Sequence, residues 1–340
     1  MAERRVDLLH HGDREVGAGL LDFAVNVYAG PRPGWLDDAL RAGLEGASAY
    51  PDPTVAEAAI AHRHGRLPAE VLATAGAAEA FTLLSRWRRW RRPVVVHPQF
   101  TEPHAALAAA GQNVAEVLLE PPFTFEPDAV PGDADLVMLG NPTNPTGVLH
   151  PSEVIEQLLR PGRVVVVDEA FMDAVPGEPH SLADRAGEGL VVLRSLTKQW
   201  GIPGIRAGYL LGDPGMVSEL RRLQTPWSVS SPASAAMLAC MTPAALAEGA
   251  RRARELQDWR AYVERGLTEL AIEHVPSSAP FVLARVGGGV HAALRDAGIA
   301  VRRADTFPGL DASWVRIAAR PPELAERLLE SIATCCGATQ

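Results

Sequence analysis

The sequence predicts an α/β fold, with a mostly parallel sheet carrying helices on both faces of a large domain, then a smaller α+β domain. Three observations lead there. Short β-branched runs alternate with helix-period segments from Val71 to Leu211. Runs such as Val164-Val165-Val166-Val167 are wholly apolar, as strands buried on both faces require. Near Ser230 the order changes to two helices followed by interleaved strands and helices.

The strands expected in the large domain are 71–74, 94–97, 115–119, 136–139, 164–167, 191–193 and 207–211. Helices are expected at 33–46, 54–65 (with Thr54 as N-cap), 77–90, 102–110 and 151–159. Beyond them come helices 231–240 and 243–270, strand 281–286, helix 290–297, strands 299–303 and 314–318, and helix 321–334. Residues 1–24 read as an irregular arm. The expected division is an arm at 1–25, a large domain at 26–228 and a small domain at 229–340. In a sheet of this kind, ligands sit beyond the carboxyl ends of the strands.

A chain of 340 residues is long for one core, which fits two domains. A net charge of −9 argues against a nucleic-acid partner. No apolar run is long enough to span a bilayer, and residues 1–7 are charged, so a cytoplasmic protein is expected. Cys240, Cys335 and Cys336 lack zinc-ligand spacing, so no metal is expected. The run Arg86-Trp-Arg-Arg-Trp-Arg-Arg92 offers a rival reading, a strand-binding or partner-binding module. Its cations also suit the end of helix 77–90, and Trp87 and Trp90 continue the apolar pattern of Leu83 and Leu84.

The chemistry points to one residue. Lys and Arg total 32, and a single one of them, Lys198, is lysine. Arginine replaces lysine well as a surface charge, but it cannot shed a proton or form a Schiff base. A lysine kept against that bias suits a site needing a neutral primary amine. Ser195, Thr197 and Arg206 flank it and suit a phosphate group, with glycines at 201, 204 and 208 for close turns. Asp168 ends an apolar strand, where an anion can hold a pyridine nitrogen protonated. Asn141 and Asn144 lie in the turn Asn-Pro-Thr-Asn-Pro-Thr-Gly147 after strand 136–139. Gly76 precedes a helix whose first amides can bind phosphate.

Together these segments resemble the fold-type I enzymes that use pyridoxal 5′-phosphate (PLP), the aminotransferase class I/II superfamily. The resemblance implies that Lys198 carries PLP as a Schiff base and moves protons at the substrate Cα. It pairs Asp168 with the pyridine nitrogen and Asn144 with the phenolic oxygen. It assigns the phosphate to the amides of Ala77 and Ala78, Ser195 and Arg206, with Gly76 and Thr197 also among the cofactor-binding residues. Phe100 stacks on the ring, and Phe171 stands where many relatives carry Tyr. Tyr50, in Tyr-Pro-Asp-Pro, resembles the tyrosine that reaches the phosphate from a partner subunit, implying a homodimer with shared sites. A third possibility keeps the fold but drops catalysis; the intact Lys198, Asp168 and Arg206 speak against it.

Val315-Arg316-Ile-Ala-Ala-Arg320 resembles the motif whose Arg binds the substrate carboxylate. If the strand runs on to Arg320, both arginines share a face and suit a substrate with two anionic groups. The opening His10-His-Gly12-Asp13, with Asn26 after it, resembles threonine-phosphate decarboxylases, close relatives of histidinol-phosphate aminotransferases. In that group Asn26 lies near the carboxylate, and His10 or His11 meets the phosphate. The leading expectation is decarboxylation of L-threonine O-3-phosphate for cobalamin biosynthesis. The alternative is transamination of histidinol phosphate with 2-oxoglutarate.

Overall fold

The protein is described by a computed structural model covering residues 7–337, so the first six positions of the expected arm lie outside the described residues. In chain order the strands are β1 (Leu21–Phe23), β2 (Val71–Ala75), β3 (Pro93–His97), β4 (Ala115–Leu118), β5 (Leu136–Gly140) and β6 (Val164–Asp168). They continue as β7 (Leu190–Ser195), β8 (Ala207–Leu211), β9 (Glu273–His274), β10 (Phe281–Arg285), β11 (Ile299–Arg303) and β12 (Trp314–Ala318). The helices are α1 (Gly34–Glu45), α2 (Thr54–Arg63), α3 (Ala77–Trp87), α4 (Glu102–Ala109) and α5 (Ser152–Glu156). Five more follow: α6 (Pro214–Leu223), α7 (Ser231–Cys240), α8 (Pro243–Glu269), α9 (Val290–Asp296) and α10 (Pro322–Gly337).

Seven strands form the large sheet in the order β2-β8-β7-β6-β5-β3-β4. All run parallel except β8, which is antiparallel to both neighbours. Side chains alternate across it, as the pleat requires. Val165, Val167 and Val192 pack with Leu36, Ile60 and Ala236 on one face. Val164, Val166 and Leu193 pack with Phe81, Leu84 and Leu107 on the other. The expected mostly parallel sheet with two helical layers is therefore present.

The second sheet has the order β1-β11-β12-β10-β9, with β1 parallel to β11 and the other pairs antiparallel. β1 falls within the stretch read as irregular. Three residues with Asp22 in the middle are too short to show a period, yet Phe23 is fully buried in this second core. Ala233, Ala236 and Met237 of α7 belong to the large-sheet core, whereas Val263 and Leu267 of α8 belong to the second.

Two local expectations are corrected, the end of helix 77–90 and the cap of helix 54–65, and the two tryptophans of the basic run pack within the chain as expected. Helix 77–90 stops at Trp87 because Arg88 is extended; Trp90 folds back and its Nε1 donates to Leu84 O at 3.1 Å. Trp87 Nε1 donates to Glu219 at 2.6 Å, so both tryptophans of the basic run are engaged within the chain. Thr54 is the first residue of α2 rather than its cap, and Asp52 accepts its amide at 3.0 Å. Among the described residues, no helix is long and apolar enough to cross a membrane, and no group of three or more His, Cys, Asp or Glu is placed to hold a metal ion.

Candidate active site

Parallel strands deliver their last residues to one edge of the sheet. There Asp168 ends β6, Ser195 ends β7, Gly76 follows β2 and Asn144 follows β5. Because β8 runs the other way, its start lies at this edge, and Arg206 immediately precedes it. Lys198 sits in the turn after β7, where its carbonyl accepts from Tyr28 N at 2.9 Å.

Burial lowers the Lys198 amine to about 8, helped by the charges of Arg316 and Arg206 and opposed by Asp168 and Asp13. Only the neutral amine attacks an aldehyde, so each pH unit below about 8 costs roughly tenfold in reactive form. Covalent attachment of PLP to the apoenzyme should therefore speed up as pH rises and level off above about 8, read as growth of the visible band. Asp168 moves the opposite way, raised to about 6 by burial, against the pull of the Ala170 amide (3.0 Å) and of Lys198. A protonated pyridine nitrogen beside it would supply the cation that favours its charged form.

The phosphate side is built from small residues. Gly76 has φ 77°, and a Cβ there would come within 2.4 Å of Arg206 Nη2. A Cβ on Gly208 would lie 3.0 Å from Ala77 N, so the start of α3 is packed directly on β8. The first amides of α3, those of Ala77 and Ala78, have no partner within the helix. Ser195 Oγ and Thr197 Oγ1 lie 2.8 Å apart. An amine able to shed its proton, an acid short of a cation, two hydroxyls, a guanidinium and a helix start fit PLP group by group.

Opposite this cradle, Arg316 is buried. Its Nη1 donates to Asn144 Oδ1 at 2.6 Å, which leaves the Asn144 Nδ2 free to donate to a ring oxygen. The Asn26 amide, oriented with its oxygen toward the guanidinium, accepts from Nε at 3.2 Å and Nη1 at 3.1 Å. Arg316 Nη2 donates to Ala24 O. Among the described residues no carboxylate pairs with Arg316, and burial followed by the charge of Arg302 lowers it to about 9. An anionic ligand is what this cation lacks. Asn141 has a different role: it exchanges two hydrogen bonds with the backbone of His150 and stays fully buried.

Arg320 does not join Arg316. β12 stops at Ala318, so the alternation assumed for Arg320 fails. Its guanidinium donates to the carbonyls of Asp22 (2.8 Å), Val25 (2.6 Å) and Val27 (3.3 Å), fastening that segment. Arg320→Met should cost about 2–4 kcal/mol of stability with little change in KM, measured by thermal unfolding and steady-state kinetics. The arginine that sequence reasoning missed is Arg302. It pairs across the sheet with Arg316, which puts both side chains on one face, and it is buried. Its Nη2 donates to His10 O and Thr306 Oγ1, each at 2.6 Å.

The arm lies close to this pair. A Cβ on Gly12 would be 3.2 Å from Arg316 Nη2. His10 turns to Glu15 (2.8 Å), whereas His11 reaches Glu102 (2.5 Å) with its ring 5.6 Å from that of Phe100. Phe100 is half-buried and also approaches Phe81. Phe171 packs edge-on against Phe281 at 5.0 Å and makes no polar contact with the site. Tyr50 lies on the surface, 75 % exposed and stacked on Trp227 at 4.2 Å, so within one chain it is not a cofactor contact.

The aminotransferase class I and II family matches residues 18–332. A Mycobacterium tuberculosis protein named histidinol-phosphate aminotransferase is 48% identical over 317 residues, covering 92% of this chain and 87% of that one. The threonine-phosphate decarboxylase of Salmonella typhimurium is 30% identical over 331 residues, covering 92% and 90%. The crystal structure of a Clostridium acetobutylicum histidinol-phosphate aminotransferase superposes with a TM-score of 0.86 at 22% identity, over 94% of this chain and all of that one. With the family matched along nearly its whole length, and with a strand edge that fits the coenzyme, this chain belongs to the aminotransferase class I and II family and uses pyridoxal 5′-phosphate.

Proposed function

We propose that the protein transaminates a phosphorylated amine, histidinol phosphate, with 2-oxoglutarate as acceptor. The observation that carries this is the buried pair Arg302 and Arg316 on one face of the second sheet, beside the Lys198 edge. Two adjacent guanidiniums suit a phosphate on one substrate and the carboxylates of the other. The relative sharing 48% of residues supports this choice over the decarboxylase relative at 30%. The order expected from the arm and Phe171 is thereby reversed, on the strength of that relative.

In this reading Arg316 and Arg302 hold the anionic groups, and Asn26 orients Arg316. Asp168 and Asn144 would hold the two sides of the cofactor ring, and His11, steadied by Glu102, lies beside Phe100. PLP, when bound, withdraws electrons from the bonds at the substrate Cα. Lys198, whose amine is lowered to about 8, would be the group that holds or sheds the proton at the substrate Cα.

Tyr50 and Trp227 form an exposed aromatic pair, and we place them at a homodimer face where Tyr50 completes the partner's phosphate cradle. Light scattering should then give twice the chain mass.

The test is to incubate the holoenzyme with histidinol phosphate plus 2-oxoglutarate and, separately, with L-threonine O-3-phosphate. Glutamate release in the first reaction without CO2 in the second is the expected outcome. CO2 from threonine phosphate with no glutamate from histidinol phosphate would replace this reading with the decarboxylase one, which the arm His10–Asp13 favours.

A further inference from the structure

Beneath the sheet edge lies a charged cluster that the proposed reaction does not use. Arg194 is fully buried. Its Nε lies 3.0 Å from Glu169 Oε2, its Nη1 donates to Asp173 at 2.5 Å, and its Nη2 donates to Glu178 and to Ser181 Oγ (2.9 Å). Glu169 also accepts from Leu182 N at 2.7 Å and from Ser181 Oγ at 2.8 Å. Arg63 is the second cation, 3.3 Å from Asp173 and 2.9 Å from Glu178. Burying such a cluster contributes little net stability, because desolvation offsets most of the attraction.

Its placement is more informative. Along β7, Leu193 and Ser195 face one side and Arg194 the other. Asp168 is in register with Leu193, so it shares the side of Ser195; the next residue, Glu169, turns to the side of Arg194. The Arg194–Glu169 pair therefore ties together, from below, the two strand ends that present the acid and the hydroxyl above. The same guanidinium holds Asp173, whose carbonyl accepts from Gln199 Nε2 at 2.6 Å. Gln199 is the residue after Lys198. One side chain thus connects the segments carrying Asp168, Ser195 and Lys198.

We propose that Arg194 is a positioning residue that sets the spacing of Asp168, Ser195 and Lys198 through its grip on Glu169 and Asp173. The inference rests on those three residues surrounding PLP. A small change in their spacing is felt directly by a rigid cofactor held at both ends.

The test uses purified holoenzyme and three variants. Glu169→Gln is isosteric and can keep the bonds to Leu182 N and Ser181, so it should fold. Its PLP dissociation constant should nevertheless rise about tenfold, and the pH midpoint of the visible cofactor band should move by about half a unit or more. Arg194→Lys keeps the charge but loses the fork, and should share both defects. Arg163→Met removes another buried arginine, one bonded to Ala134 O and Pro131 O at the opposite end of β6. It should lower the melting temperature and leave both cofactor readouts unchanged. If Glu169→Gln and Arg194→Lys only lower the melting temperature, as Arg163→Met does, the cluster is structural and the proposal fails. A wild-type protein with no visible band would instead overturn the cofactor site itself.

Discussion

Replacing Lys198 with arginine abolishes covalent cofactor binding and lowers turnover by roughly 10⁴-fold or more, the upper range for a positioned proton-transfer group, with the lost covalent step added. The substitution keeps a positive charge in nearly the same place, so it isolates the ability to shed a proton. In the wild type that ability comes from burial and from Arg316 and Arg206, which together bring the amine to about 8. Lys198→Ala should also lose the covalent band. It keeps Asp168, Ser195 and Arg206, however, so PLP should still be retained weakly on dialysis. Absorbance and turnover of both variants check this, and a visible band of normal intensity in Lys198→Arg is incompatible with the assignment.

Arg316→Gln should lower kcat/KM on the order of 10²–10³-fold, as loss of one partner from a buried charge pair costs about 2–5 kcal/mol. Most of the effect should appear in KM, because the anion is held in the ground state as well as in the transition state. Stability should fall less than in Arg320→Met: the Asn144, Asn26 and Ala24 oxygens lose a donor, but removing a buried cation without a carboxylate partner among the described residues offsets part of that cost. Arg320→Met should show the reverse pattern, a lower melting temperature with KM retained. Steady-state kinetics alongside thermal unfolding separate the two arginines, and an unchanged KM in Arg316→Gln contradicts its role.

Much of the fold was legible because most strands of the large sheet are apolar on both faces and are punctuated by turn residues. Val164–Asp168 and Ala207–Leu211 leave little choice of period. α6 was missed although Asp213 and Pro214 supply a capping acid and a first-turn proline, and Asp213 does accept from Met216 N at 2.9 Å. The cofactor edge was legible because each of its residues lies next to its own strand end, so local order carries the information.

The substrate side was not legible in this way. Arg302 and Arg316 meet through a cross-strand register between segments 14 residues apart, with Arg303 alongside to blur the alternation. The shared face expected for Arg316 and Arg320 fails because the strand ends two residues before Arg320. His10 and His11 are adjacent in sequence, yet Glu15 and Glu102 draw them to different places. The Arg194 cluster draws on residues from 63 to 194 and shows no spacing that a reader of the sequence could follow.

The most direct test of this account follows from the lone lysine. Borohydride reduction of the holoenzyme, followed by intact-mass and peptide analysis, should add one reduced cofactor per chain, on the peptide containing Lys198, and none to Lys198→Arg. A cofactor that remains attached in Lys198→Arg, or a wild-type chain that takes up none, would contradict the account.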